Sequence, residues 1–139
     1  MNALIDTNVI LDDLLNREPE RADAGKIMGM VTDKKIFGYI TANTLTDIYN
    51  LIEKHKSKTF ARKAIKIMLN TLQVIAVDGV DCLSAIEYLT DDFEGALIMV
   101  CADKASIDYI VTNDRAFLAE PGLLVPAISP FDFLSNYCD

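Results

Sequence analysis

The chain has no tryptophan, one histidine and three cysteines in 139 residues. Each scarcity removes a class of function. With tryptophan absent and the other aromatics scattered, no stacking platform for bases can be read from the sequence. The single histidine, His55, stands among lysines at the end of a helical stretch and reads as a solvated surface residue, which disfavours Ser-His-Asp or Cys-His catalysis. Cys82, Cys101 and Cys138 are an odd number without CxxC spacing, so neither a disulfide framework nor a zinc site is indicated. Long apolar runs are also missing. The longest, "ALIMVCA" at 96–102, is far short of the roughly 20 residues that span a bilayer. No basic segment precedes a long apolar one, as it would in a signal peptide. The expectation is a cytoplasmic protein with no membrane partner.

Positive charge is short too: 13 Lys and Arg against 21 acids give a formal net charge of −8. That balance opposes nucleic acid binding by the chain as a whole. The basic residues are unevenly spread, however. Lys54, Lys56, Lys58, Arg62, Lys63 and Lys66 fall within "KHKSKTFARKAIK". This is either a solvated helix face or a local phosphate-contacting patch on an acidic body; composition does not choose between them.

What the chain does have is apolar residues, 51% of the total, enough for one domain over residues 1–139 with a continuous core. Short apolar runs alternate with helical patterns. Strands are expected at 2–5, "KIFGYI" at 35–40, "LQVIAV" at 72–77, "DYIVT" at 108–112 and "LLVP" at 123–126. Helices are expected near 8–16, 20–33, 43–56, 58–70, 80–89, 92–105 and 129–136. Strands separated by helices, with few hairpin signals, predict an α/β fold with a central parallel sheet of about five strands and helices on both faces. Helix starts are marked at Asn43, at Ser57 or Lys58, at Asp91 or Asp92, and by Ser129-Pro130, an N-cap followed by Pro at the first helical position.

In such a sheet, ligands gather beyond the carboxyl ends of the strands. Four segments deliver acids there. Asp6 ends the first strand, Asp114 follows the strand "DYIVT", Asp47 lies in the helix after "FGYIT", and Asp91, Asp92 and Glu94 crowd the start of helix 92–105. Each alone reads as a helix cap or a partner of the helix dipole. Together at one edge they repel unless a cation sits among them, and hard Mg²⁺ or Mn²⁺ suits oxygen ligands and retained water. Such ions activate water and neutralise charge on a phosphodiester. Thr7, Asn8, Thr112 and Asn113 would then be the donors that hold the acids in place.

The segments "LIDTNVILD" at 4–12, "ITANTLTDIYNLI" at 40–52, "DFEGALIMVCA" at 92–102 and "DYIVTNDRAF" at 108–117 resemble, in order and spacing, those of the PIN domain (PilT N-terminus) family. The resemblance extends through "ISPFDFL" at 128–134. It implies a Mg²⁺- or Mn²⁺-dependent endoribonuclease, and small members of the family resemble VapC-type toxins held inactive by a cognate antitoxin. It also implies an RNA substrate and often a homodimer; exposed apolar surface could serve a second copy or an antitoxin. Asp6 matches the first family acid, Asp47 the second (usually Glu), and Asp114 the fourth. The third acid, which directly precedes "AL", is replaced by Gly95. Asp92, three residues earlier on nearly the same helix face, is the first candidate to compensate, and Glu94, rotated by about 100°, the second.

Two other readings compete with the nuclease. Gly95 and the shorter Asp47 also suit a catalytically impaired PIN-like module that binds RNA or protein. Asp at a strand end also suits an aspartyl-phosphate nucleophile, but position 8 carries Asn where an acid/base Asp is needed, and Asp78 is only loosely placed for a receiver-like site.

Overall fold

The computed structural model describes residues 1–88 and 90–137. Leu89, the expected end of helix 80–89, and Cys138 lie outside the described residues. The chain begins β1 (Asn2–Ile5), α1 (Thr7–Leu14), α2 (Arg21–Thr32), β2 (Phe37–Thr41), α3 (Ala42–His55) and α4 (Lys58–Thr71). It continues β3 (Gln73–Ile75), α5 (Gly79–Ile86), α6 (Phe93–Lys104), β4 (Tyr109–Val111), α7 (Arg115–Ala119), β5 (Ala127–Ile128) and α8 (Pro130–Tyr137). The five strands form one sheet in the order β3-β2-β1-β4-β5, and every pair is parallel.

Alternation along β1 builds two cores. Ala3 and Ile5 point into one with Val9, Ile27, Ile48, Ile52 and Phe133; Leu4 points into the other with Leu97, Met99, Cys101 and Ile110. The sheet is therefore covered on both faces, as a parallel sheet must be. Helix α6 is buried around most of its circumference, from Gly95 to Met99 and again at Cys101 and Ala102, because α5 covers the side turned away from the sheet.

Four strand boundaries differ from the sequence reading, three of them for a local reason. Strand β2 starts at Phe37 because Lys34, at φ 59°, first closes the end of α2, with Lys35 N–H donating to the Met30 carbonyl. The expected strand 72–77 keeps only residues 73–75: Leu72 caps α4, and the Ala76 carbonyl accepts from Lys104 Nζ at 2.7 Å instead of from a neighbouring strand. The strand expected at 108–112 narrows to Tyr109–Val111, although the flanking backbone stays bonded to its neighbours, Asp108 N–H donating to the Asn2 carbonyl at 2.8 Å and Thr112 N–H to the Ile128 carbonyl at 3.0 Å. The strand expected at 123–126 is absent; β5 forms at 127–128. Val125 N–H turns to Met99 Sδ, and Pro126, with no N–H, enters the ladder only through its carbonyl, which accepts from Ile110.

Helix α3 begins one residue before Asn43, with Thr41 at the cap position and its hydroxyl 2.6 Å from that of Thr44. Asn43 is therefore a first-turn residue and not the cap. Helix α7 was not anticipated; its five residues are too short for a period to show. Ser57, Asp92 and Ser129 are found at the expected starts, each accepting a backbone N–H three residues on. Asp78 likewise caps α5 in a reciprocal capping box with Asp81, which gives it a structural task.

Candidate active site at the carboxyl edge of the sheet

The chain runs from β1 outward through β2 to β3 and then crosses back to β4 on the other side of β1, so a crevice opens between β1 and β4, where the order reverses. Asp6 stands at this point. Its backbone N–H donates to the Val111 carbonyl at 3.0 Å, which fixes the start of α1 against the end of β4. Its carboxylate is held from three sides. Oδ1 accepts from the Thr7 N–H at 2.8 Å, and Oδ2 accepts from Thr112 Oγ1 at 2.7 Å and Asn8 Nδ2 at 3.1 Å.

The same few groups tie the two loops together. Thr112 Oγ1, fully buried, also accepts from the Asp114 N–H at 3.0 Å. Asn8 Oδ1 accepts from the Asn113 N–H at 3.0 Å, and Asn113 Nδ2 donates to Asp12 Oδ2 at 3.0 Å. Asp114 in turn caps α7, its Oδ1 accepting from the Ala116 N–H at 3.0 Å. Thr112 and Asn8 thus both donate to the Asp6 carboxylate. Two of the four supporting residues act otherwise: Thr7 contributes its backbone N–H while its buried hydroxyl has no partner among the described residues, and the Asn113 side chain holds Asp12.

Beside Asp6 opens a cavity of about 300 Å³. Asp92, Glu94 and Asp114 line it with Asp6, and Leu51, Ile98 and Phe117 supply apolar wall. Burial raises the Asp6 carboxyl above its ordinary value, and the charge of Asp114 adds to this, against the lowering effect of the Thr112, Thr7 and Asn8 hydrogen bonds. Glu94 is raised as well, by burial first and then by the charges of Asp47, Asp6 and Asp92. Asp47 does not line the cavity; it reaches the site as a charge acting on Glu94. Among the described residues none of these five acids forms an ion pair.

Gly95 and Asp92 are geometrically coupled. Asp92 Oδ1 accepts the Gly95 N–H at 3.0 Å, while Oδ2 lies 2.5 Å from where a Cβ on Gly95 would stand. The Asp92 carboxylate therefore occupies space that any side chain at 95 would need.

The six basic residues of "KHKSKTFARKAIK" are exposed along the end of α3 and on α4, and none lines the cavity. Asp47, Leu51 and Lys54 nevertheless fall on one face of α3, so this surface begins about 10 Å along the helix from Asp47. Sequence reasoning missed Arg17, the one cation lining the cavity among the described residues, and buried Asp12, 4.0 Å from it. Asp12 had a signal, since it lies four residues after Asn8 on the same face of α1; Arg17, in the following loop, had none.

The sequence matches the family model of the PIN domain over residues 2–116. The chain belongs to the PIN domain family. A comparison with functionally curated proteins finds no match. Among solved structures, this PIN domain is similar to VapBC2 from Rickettsia felis bound to a DNA fragment from its promoter, at 16% identity and a TM-score of 0.68, covering 93% of this chain and 98% of the other. It is similar to VapC20 of Mycobacterium tuberculosis, a sarcin–ricin loop cleaving toxin, at 17% identity and 0.70, covering 88% and 96%. DNA-bound VapBC from Salmonella typhimurium gives 16% and 0.69, covering 94% and 98%. At these identities the likeness is one of fold.

The acids present suit a hard divalent cation in one respect: they offer only oxygen donors, and none of them is ion-paired among the described residues, Arg17 reaching Asp12 instead. Among the described residues no three acids are grouped closely enough to ligate one ion directly. An ion held by these residues would have to keep water among its ligands. No helix of the described residues is long and apolar enough to cross a membrane.

Proposed function

We propose that this PIN domain is a metal-dependent endoribonuclease and the toxin of a toxin–antitoxin pair. The observation that carries the reading is the Asp6 carboxylate, half-buried at the cavity wall with Asp92, Glu94 and Asp114, its orientation fixed by Thr112 and Asn8 and with no ion pair of its own among the described residues. Asp6 and Asp114 would hold the ion, with Asp92, Glu94 and Asp47 joining through water. A bound divalent ion supplies charge neutralisation at phosphorus and an acidified water. Thr112 and Asn8 keep Asp6 aimed, Arg17 meets a phosphate oxygen, and the basic surface from Lys54 to Lys66 follows the flanking backbone. The VapBC likenesses support a cognate antitoxin, with DNA reached through that partner.

The expected test result is RNA cleavage that needs Mg²⁺ or Mn²⁺, stops in EDTA, and falls to background in Asp6→Asn and Asp114→Asn variants whose melting shows them folded. Undiminished cleavage by both variants would refute the reading. A second reading, an impaired module that retains RNA or a protein partner without turnover, is favoured by Gly95 and by the absence of a three-acid group among the described residues. RNA retention with no cleavage at millimolar Mn²⁺ would select it.

A further inference from the structure

A second cavity, narrow and about 90 Å³ in volume, lies against the first. The two share Asp92, Gly95 and Phe117, so only that wall separates them. The chemistry changes across it. The floor of the second cavity is Ala96, Met99 and Leu123, and Tyr88 and Phe117 contribute aromatic rings. Its polar groups are the hydroxyls of Thr90 and Tyr88 and two carboxylates, Asp92 and Glu120; among the described residues no cation lines it. Gly95 keeps the shared wall thin, since a Cβ there would stand 3.4 Å from Phe117 Cε2 and would strike Asp92.

Such a slot repels phosphate and acidic side chains. It suits a flat, neutral ring that stacks on an aromatic wall and turns N–H donors to carboxylates at the rim. A nucleotide has that division, an anionic phosphate joined to a flat ring. The geometry points to the slot as a nucleobase subsite next to the proposed phosphodiester site, favouring bases with an exocyclic amino group: cytosine, adenine or guanine. This rests on reading the larger cavity as the place of the phosphodiester. The base is held between Phe117 and Tyr88 over Met99, and Glu120 accepts from its amino group. Cleavage then depends on the base beside the scissile bond.

The test uses the intact protein in EDTA, following the methyl NMR signals of Ala96, Met99 and Leu123 during titration with CMP, UMP and ribose 5-phosphate. The expected result is that both nucleotides shift these signals, CMP more tightly than UMP, and that ribose 5-phosphate leaves them in place. Ala116→Trp, at the exposed start of α7, fills the mouth and weakens nucleotide binding about tenfold, in the range that base stacking contributes. Glu120→Gln removes the gap between CMP and UMP. The subsite is overturned if ribose 5-phosphate shifts the same methyls equally, if no nucleotide moves them at millimolar concentration, or if N-acetyl-leucine amide binds there and nucleotides do not. Base binding without RNA cleavage counts against the proposed function alone, and cleavage without base binding counts against the subsite alone.

Discussion

Replacing Thr112 by Val changes a hydroxyl to a methyl at a fully buried position without altering its shape. Asp6 Oδ2 loses its 2.7 Å donor, and the Asp114 N–H loses its 3.0 Å acceptor. A hydrogen bond to a charged group contributes about 1.5–3 kcal/mol and a neutral one about 0.5–1.5. The new methyl returns about 0.8 kcal/mol, so a net loss of about 1–4 kcal/mol is expected at neutral pH. With 139 residues, the unfolding entropy is about 0.29 kcal/mol/K, and a loss of about 2 kcal/mol lowers the melting temperature by about 7 °C.

The effect depends on pH in a definite direction. The folded Asp6 carboxyl already lies above its ordinary 3.8, and removing the donor to its ionised form raises it further. In that window the folded state binds more protons than the unfolded state, so stability falls as pH rises through it, and falls more in the variant. The deficit of Thr112→Val is therefore full at neutral pH and shrinks as Asp6 protonates toward about pH 4. Thr112→Ser keeps the hydroxyl and loses only packing, so its deficit does not vary with pH. Thermal melts of the three proteins at both pH values decide the matter; a Val deficit equal at both, or matched by Ser, would refute the hydrogen-bond account.

Two further substitutions probe separate parts of the argument. Gly95→Ala gains about 1 kcal/mol of helix propensity and loses about 1 from the displaced Asp92 cap, so its melting temperature stays close to that of the parent while metal-dependent cleavage drops about tenfold; full activity would remove Asp92 from the site. Lys104→Met strands Asp81, which is buried and 2.6 Å from Lys104 Nζ. The Asp81 carboxyl is held below 3.8, chiefly by that hydrogen bond, a contribution present above 3.8 and lost as pH falls through the lowered value. The variant should melt several degrees lower at neutral pH and approach the parent in acid, and a deficit that persists unchanged in acid would show that packing, not charge, is responsible.

The sequence by itself determined the parallel α/β class, because alternating short apolar runs and amphipathic stretches can bury themselves in few other ways. It also marked helix starts at Ser57, Asp92 and Ser129, where the side chain's capping role depends on residues only three positions away. Asp6 and Asp114 were legible as strand-end acids for the same local reason.

What is not local was decided in three dimensions. That Asp6 is clasped by Thr112, 106 positions away, follows from β1 lying beside β4. The expected strand at 123–126 gave way to 127–128 because Met99, on a distant helix, took the Val125 N–H. The closeness of Glu94 to Asp47, the presence of Arg17 in the cavity, and the Asp92 carboxylate standing where a residue 95 side chain would go all depend on how packed helices are rotated. Local propensity fixes where elements begin and what they can cap. Which side chains then share one volume is set by sheet order and helix packing, which no single stretch of chain contains.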